Sequence, residues 1–218
     1  MDRFQNRKEA GQLLAEQLLV FKKDNPLILA IPRGGVPVAV EVSRRLGADL
    51  DLMFVKKIGA PTNPELAIGA ICEDGRPWLN SRIVSLLGIK TAALKELSDE
   101  KSEEVRTQAR RLRGSRPAIP VAGRTLILID DGIATGATLL AAIHLLRAQN
   151  PEKIIVAAPV APVASIEELE KASDGVICLK TPFHFYGVGE WYVEFPQVPD
   201  REVLRLMQQP PAEPELHP

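Results

Sequence analysis

Two short apolar runs, each ending in a glycine-containing loop, constrain the fold of this chain more than any other feature. Residues 27–31 are continuously apolar and stop at the loop 32–35, and residues 125–129 stop in the same way at the segment 130–138. Such runs are typical of strands buried on both faces, and apolar residues at helical spacing follow each loop. Because strands that alternate with helices form parallel sheets, we expect a doubly wound α/β fold with a mainly parallel sheet.

The remaining pattern extends this arrangement. Apolar residues recur at helical spacing over 10–21, which predicts a helix before the first strand. Asp74 and Gly75 form an Asp-Gly step, which favours a hairpin turn between runs at 67–72 and 76–79. Further strands are predicted at 50–55, 153–158 and 175–179.

Length and charge fit one near-neutral domain. The 218 residues include 27 basic and 28 acidic side chains, which gives a formal net charge of −1. We assign residues 1–208 to a single domain and the proline-rich stretch 209–218 to a disordered tail. Residues 81–113 have a helical pattern and are interpreted as an insertion within that domain.

The insertion carries an almost balanced set of charges. Five acids and six bases lie between Lys95 and Arg113. This balance favours a solvated helix face. The alternative is a lid whose basic end, residues 106–113, faces an anionic ligand.

Composition excludes several classes of function. Cys72 and Cys178 have neither a Cys-x-x-Cys neighbour nor a His at zinc-ligand spacing. A net charge near zero gives no general attraction to nucleic acid or anionic lipid, and no apolar stretch reaches the ~20 residues that a bilayer requires. We therefore expect a cytoplasmic protein with a small-molecule ligand and with neither a nucleic-acid nor a membrane partner.

The segment after the second apolar run joins two carboxylates to a loop of small residues. Asp130 and Asp131 are costly to desolvate at the end of a buried strand, so their charge or acceptor capacity should serve a ligand. Small residues let backbone N–H groups approach an anion at the following helix N-terminus, and two threonines add hydroxyl donors. A ribose 5-phosphate unit would satisfy both halves. The loop consists of Gly132, Ile133, Ala134, Thr135, Gly136, Ala137 and Thr138.

Other nucleotide-binding motifs lack their required residues. A Walker A loop needs a lysine directly after its second glycine, where this chain has Ala137. A dinucleotide fingerprint needs a third glycine where Tyr192 follows Gly187 and Gly189. The chain also has no Gly-x-Ser-x-Gly elbow and no His-Glu-x-x-His pair, so the usual serine hydrolase and zinc protease sites are excluded.

The segment 126–138 resembles the phosphoribosyl pyrophosphate signature of the type I phosphoribosyltransferases, and the overall layout is similar to a bacterial branch of that family. The resemblance implies that Asp130 and Asp131 hold the ribose hydroxyls and that residues 132–138 bind the 5′-phosphate. It implies a transferase whose donor is phosphoribosyl pyrophosphate and whose acceptor is a nitrogenous base or a similar nitrogen nucleophile. Mg²⁺ would be carried largely by the donor's oxygens, with the two acids as indirect partners.

The same resemblance assigns a leaving-group side. Arg33, Gly34 and Gly35 occupy the place of the family's pyrophosphate loop, although a simple tight turn is the alternative. Lys56 and Lys57 stand where a basic residue reaches the pyrophosphate, and strand alternation leads us to expect only one of them to face the site. Residues 59–70 correspond to a mobile catalytic loop, in which Glu65 is the acid to test; an ordinary exposed glutamate is equally compatible.

An aromatic cluster over 180–196 resembles the family's hood, which stacks on the acceptor base. Lys180, Phe185 and Trp191 are therefore assigned to base binding, with core packing as the alternative for any single aromatic. Ala134 stands where family members that act on 6-oxopurines usually carry an acid, which weakens a hypoxanthine or guanine assignment.

A second class of function stays open. A non-catalytic sensor of phosphoribosyl pyrophosphate or of a nucleotide would retain the same ribose and pyrophosphate residues, because a fold does not determine a function. A homodimer is compatible with either interpretation.

Overall fold

The computed structural model describes residues 3–208, apart from the side chain of Glu65. The predicted tail at 209–218 lies outside the described residues. None of the helices in the described range combines the length and apolar character needed to span a bilayer. The helices are α1 (Arg7–Leu18), α2 (Gly35–Leu46), α3 (Ser81–Leu86), α4 (Thr91–Arg113), α5 (Ala137–Arg147), α6 (Val163–Ala172) and α7 (Asp200–Met207). The strands are β1 (Leu27–Ala30), β2 (Asp49–Leu52), β3 (Val55–Ala60), β4 (Asn63–Cys72), β5 (Pro77–Leu79), β6 (Thr125–Ile129), β7 (Lys153–Val160) and β8 (Gly175–Lys180).

The central sheet is parallel and has the strand order β2-β1-β6-β7-β8. Its register sets Ala30, the last residue of β1, beside Leu52 and Ile129, the last residues of β2 and β6. Because these carboxyl ends are level, the two loops that follow β1 and β6 lie next to each other. The α/β fold with a parallel sheet is confirmed.

Alternating side chains of the central strands supply two cores, one on each face of the sheet. Ile28 and Ile127 pack with residues of α1 and α2, and Leu29 and Leu128 pack with residues of α5. All four of these side chains are at most 3% exposed. Burial on both faces explains why the strands appear in the sequence as continuous apolar runs.

A second, antiparallel sheet corrects the prediction for residues 50–70. The single strand expected at 50–55 is two strands, because the buried side chains of Met53 and Phe54 lie in a break between β2 and β3. The segment 59–70, which the resemblance places at the mobile catalytic loop, is mostly the β3–β4 hairpin, and β5 extends this sheet in the order β3-β4-β5. The predicted pairing of 67–72 with 76–79 is confirmed as that of β4 with β5. The predicted turn at Gly75 is confirmed, and the residue has φ +77°.

The insertion is held to the central sheet by a buried arginine at the end of α4. Arg113 Nε donates to Asp51 Oδ1 at 2.9 Å, and its Nη2 donates to the carbonyl of Leu52 at 2.6 Å. Its Nη1 donates to Glu73, in the turn between β4 and β5. The side chains of Arg113 and Asp51 are 5% and 7% exposed. The contact therefore fixes α4 against both sheets.

Replacing this anchor should destabilise the protein strongly. We expect Arg113→Ala to lower the free energy of unfolding by about 3–5 kcal/mol, because Asp51 would stay buried without a cation. Urea denaturation measures the change. Arg110→Ala, which removes an exposed arginine from the same turn, should cost no more than about 1 kcal/mol. Equal losses in the two variants would contradict the anchoring role.

Candidate active site

A cavity of about 370 Å³ opens at the carboxyl ends of β1 and β6. It brings together four residues that the sequence analysis assigned to the site, from three separate parts of the chain. Asp130 follows β6, Thr138 lies in the first turn of α5, and Lys56 and Lys57 belong to β3. The other lining residues are Ile31, Pro32, Met53, Phe54, Val55, Gln108 and Ala141.

Asp130 presents a poorly compensated carboxylate to this cavity. Its Oδ1 accepts the backbone N–H of Asp131 at 2.8 Å, and none of the described residues forms an ion pair with it. Burial, together with the neighbouring Asp131 carboxylate, raises the pKa of Asp130 well above its ordinary value. A ligand that brings hydroxyl donors or a cation would stabilise the charged form.

Asp131 is in a different position, because a buried arginine already neutralises it. Arg7 Nε donates to Asp131 Oδ2 at 2.7 Å, and the two side chains are 10% and 13% exposed. The same guanidinium donates to the carbonyl of Pro196 at 2.7 Å and lies 3.8 Å from the ring centroid of Phe195. Tyr192 Oη donates to the backbone carbonyl of Asp131 at 2.6 Å. The two acids are therefore not equivalent.

Sequence reasoning missed Arg7, although a signal was present. The buried face of α1 continues the apolar spacing of Ala10, Leu14 and Leu18 back to Arg7. An arginine on the buried face of an amphipathic helix indicates an internal anion, since an unpaired buried charge is very costly. The matching anion lies 124 residues away, which no local pattern shows.

The loop after β1 packs directly against the acids. A Cβ on Gly34 would overlap the Asp131 carboxylate, and one on Gly35 would lie 2.5 Å from the carbonyl oxygen of Ile129. Both glycines are therefore required for the close approach of this loop to the end of β6. The Pro32–Arg33 peptide bond in the same loop is cis. Arg33 does not line the cavity; its Nη1 lies 3.5 Å from Asp200 Oδ1.

The loop after β6 is fixed by contacts on both sides. The N–H of Ile133 donates to the carbonyl of Val160 at 2.8 Å, and Ser165 Oγ donates to the carbonyl of Ala134 at 2.6 Å. Gly136 has φ +70° and caps α5 without a side-chain hydrogen bond, so the helix N-terminus is open to an anion. Thr135 is exposed and Thr138 is half-buried.

The two lysines lie on opposite faces of β3, yet both line the cavity. Lys56 leans toward α4, where its Nζ is 3.8 Å from Glu104 Oε2. Lys57 lies on the same face of β3 as Val55, which packs in the core on the α5 side. Glu65 belongs to β4, and its proposed role stays a prediction because its side chain lies outside the described part of the structure.

The hood residues are not brought to the cavity. Trp191 is 7% exposed and packs with Phe185 and Phe4, while Lys180 Nζ lies 4.4 Å from the ring centroid of Phe4. A bridge between Phe4 and Tyr192 explains this placement, since it draws the aromatic segment onto the start of the chain. Trp191 thus lies in a small core, which is the alternative given above for a single aromatic, and the base-binding assignments of Lys180, Phe185 and Trp191 stay predictions.

The family model for the phosphoribosyl transferase domain matches residues 4–192. This chain belongs to the phosphoribosyl transferase family. The "Putative phosphoribosyl transferase Rv0571c" of Mycobacterium tuberculosis strain H37Rv is 40% identical over 207 residues, which is 95% of this chain and 47% of that protein. The protein MT0597 of strain CDC 1551, which has the same descriptive name, matches equally. The chain thus spans about half the length of these relatives.

A solved structure agrees with the phosphoribosyl transferase fold described above. The crystal structure of the protein TT1426 from Thermus thermophilus superposes with a TM-score of 0.87 at 39% sequence identity. The match covers 94% of this chain and 97% of that one. The likeness therefore extends over nearly the whole chain.

The buried pair of Arg7 and Asp131 should contribute strongly to stability. We expect Arg7→Ala to lower the free energy of unfolding by about 3–5 kcal/mol, because it leaves Asp131 largely buried with no cation beside it. Urea denaturation followed by tryptophan fluorescence measures the loss. Lys8→Ala, an exposed neighbour in the same helix, should change stability by no more than about 0.5 kcal/mol. A comparable loss in Lys8→Ala would contradict the role given to the pair.

Asp130 should reduce stability at neutral pH. Its pKa is raised on folding above the ordinary 3.8, so the native state binds the proton more tightly than the unfolded state does. The stability of the wild type therefore falls as pH rises from 3.8 toward the raised pKa. We expect Asp130→Asn, which keeps an acceptor for the Asp131 N–H, to be more stable than wild type at neutral pH by roughly 1 kcal/mol. Thermal melts without added metal, just above pH 3.8 and near neutrality, should show the difference growing with pH; a less stable variant at neutrality would refute this.

Proposed function

We propose that this chain transfers the phosphoribosyl group of Mg²⁺-bound phosphoribosyl pyrophosphate to a nitrogen nucleophile and releases pyrophosphate. The observation that carries the proposal is the cavity in which Asp130, Thr138, Lys56 and Lys57 meet. It combines acceptors for sugar hydroxyls, a helix N-terminus for a monophosphate and cations for a leaving group. Membership of the phosphoribosyl transferase family supports the same reaction.

The ribose side rests on Asp130 and on the start of α5. Asp130 can accept hydrogen bonds from the ribose hydroxyls, and its charge favours the cationic sugar that develops as the bond at C1 breaks. The open N-terminus of α5 and the hydroxyl of Thr138 suit the 5′-phosphate. Asp131, held by Arg7, fixes the position of the loop rather than offering a free carboxylate.

The leaving-group side rests on the cations of two separate elements. Lys56 and Lys57 of the β3–β4 hairpin can neutralise the pyrophosphate as it departs. Gly34 and Gly35 bring the backbone of the loop after β1 to the end of β6. Arg33, in the same loop, lies outside the cavity and lines the neighbouring groove. The nucleophile then attacks the opposite face of C1.

The residues present fit a magnesium ion that is carried by the substrate. Within residues 3–208 no group of three or more His, Cys, Asp and Glu side chains is placed to form a metal cage. Asp130 is the carboxylate beside the cavity whose charge lacks a described partner, and hard cations prefer such oxygens. When bound, Mg²⁺ would neutralise the charge of the pyrophosphate.

The proposed acceptor is a nitrogen nucleophile. Ala134 is exposed in the loop before α5 and offers no acid to a base ring. Phe183 and Tyr186, which are 92% and 86% exposed, are the most exposed aromatics of the hood. A cytoplasmic location and a homodimer stay predictions of the sequence.

The test is turnover with a panel of acceptors. The protein is incubated with phosphoribosyl pyrophosphate, Mg²⁺ and a mixture of purine and pyrimidine bases, while pyrophosphate release and the loss of each base are followed. We expect release that depends on one base. Asp130→Asn should lower turnover by about 100-fold or more, the usual effect of removing a preorganised electrostatic group.

Asp24→Asn is the matched control, because it makes the same change before β1, at the opposite end of the strand from the cavity. It should leave turnover unchanged. Normal turnover in Asp130→Asn would contradict the site assignment. Tight binding of the donor without turnover on any base would instead favour the sensor.

A further inference from the structure

A groove of about 670 Å³ continues outward from the cavity, between the loop after β1 and the helical insertion. Lys56 and Gln108 line both spaces, so the groove adjoins the cavity at these two side chains. The charged residues that line the groove are Arg33, Lys56, Arg111, Glu100, Glu103 and Glu104. The groove is therefore a charged surface that joins the proposed leaving-group side to α4.

The glutamates of the groove already have cationic partners on α4. Lys101 Nζ lies 2.5 Å from Glu104 and 3.1 Å from Glu100, and Arg110 Nη2 lies 2.5 Å from Glu103. These contacts satisfy most of the negative charge within the helix itself. Lys56 also lies 3.8 Å from Glu104, so Arg33 and Arg111 are the two groove cations for which no contact with these glutamates is seen among the described residues.

At that other end two arginines share one carboxylate. Arg111 Nε lies 2.7 Å from Asp200 Oδ2, and Arg33 Nη1 lies 3.5 Å from Asp200 Oδ1. The side chains of Arg111 and Arg33 are 58% and 44% exposed, and that of Asp200 is 28% exposed. Two guanidinium groups are thus held side by side, accessible to solvent and with an excess positive charge.

The other arginines of the basic end of α4 have different contacts. Arg106 lies against the Gly75 turn, Arg110 pairs with Glu103, and Arg113 is the buried anchor to Asp51. Arg111 alone among these four lines the groove. Of these four arginines, Arg111 is therefore the one placed to face an anion in the groove, and the other three have solvated or structural roles.

We propose that Arg111 binds the pyrophosphate group together with Arg33, and that Asp200 is the counter-ion which the pyrophosphate replaces. This proposal rests on the proposed function. A guanidinium binds phosphate oxygens through two parallel hydrogen bonds, and two neighbouring guanidiniums match two linked phosphates. Exposed ion pairs contribute little to stability, so a more highly charged anion can displace Asp200 from both arginines. The insertion would thereby supply part of the donor site.

The test is the affinity of the intact protein for inorganic pyrophosphate with Mg²⁺, measured by calorimetry. Arg111→Ala should weaken binding by about tenfold, which corresponds to the loss of one charge-assisted hydrogen bond. Lys95→Ala is the matched control, since Lys95 is an exposed cation of the same helix and does not line the groove; the affinity of this variant should equal that of wild type. Wild-type affinity in Arg111→Ala, or an equal loss in both variants, would overturn the proposal.

Asp200→Asn tests the counter-ion. Removing its charge frees both guanidiniums, so pyrophosphate should bind about two- to fivefold more tightly than to wild type. Unchanged or weaker binding would overturn the exchange of Asp200 for the ligand. Thermal melts of all three variants establish that they are folded at the temperature of the titration.

The failure of this inference can be told from the failure of the proposed function. If wild type binds neither pyrophosphate nor phosphoribosyl pyrophosphate, the proposed function and the inference fall together. If wild type binds both ligands and Arg111→Ala retains full affinity, the inference alone is overturned.

Discussion

Repulsion between the adjacent carboxylates of Asp130 and Asp131 is the constraint around which this structure is arranged. The two groups cannot both stay charged at the end of a buried strand without compensation. The chain compensates one of them: Arg7 neutralises Asp131, while Asp130 lacks a described cation and faces the cavity. This asymmetry separates the two acids, since Asp131 holds the surrounding loops together and Asp130 presents its carboxylate to the cavity.

The cations that line the cavity and the groove come from elements that are distant in sequence. Arg33 follows β1, the lysines belong to the β3–β4 hairpin, and Arg111 belongs to the insertion. Among these elements α4 is held by Arg113, which ties it at once to β2 and to the turn after β4. A buried ion pair thus determines where the exposed charges of α4, including Arg111, lie.

The parts of the fold that could be predicted are those in which neighbouring residues carry the signal. Burial on both faces makes β1 and β6 continuous apolar runs, and the acids and glycines that follow them mark the carboxyl edge of the sheet. The β2–β3 break was missed because Met53 and Phe54 are as apolar as the strands beside them. Arg7 was missed because its partner is distant in sequence. Aromatic clustering does not distinguish a small core from a ligand platform; Trp191 belongs to a core, and the assignment of the hood to base binding stays a prediction.

The bridge between Phe4 and Tyr192 has a topological consequence. These are the first and last residues that the family model matches, and they are joined by backbone hydrogen bonds: the N–H of Phe4 donates to Trp191, and that of Val193 donates to the carbonyl of Phe4. The two ends of the region that the family model matches are therefore held together by backbone hydrogen bonds. A unit whose two ends lie close together can be inserted into a longer polypeptide with both connections on the same side of the fold. This geometry is consistent with curated relatives in which the matched region makes up 47% of the chain.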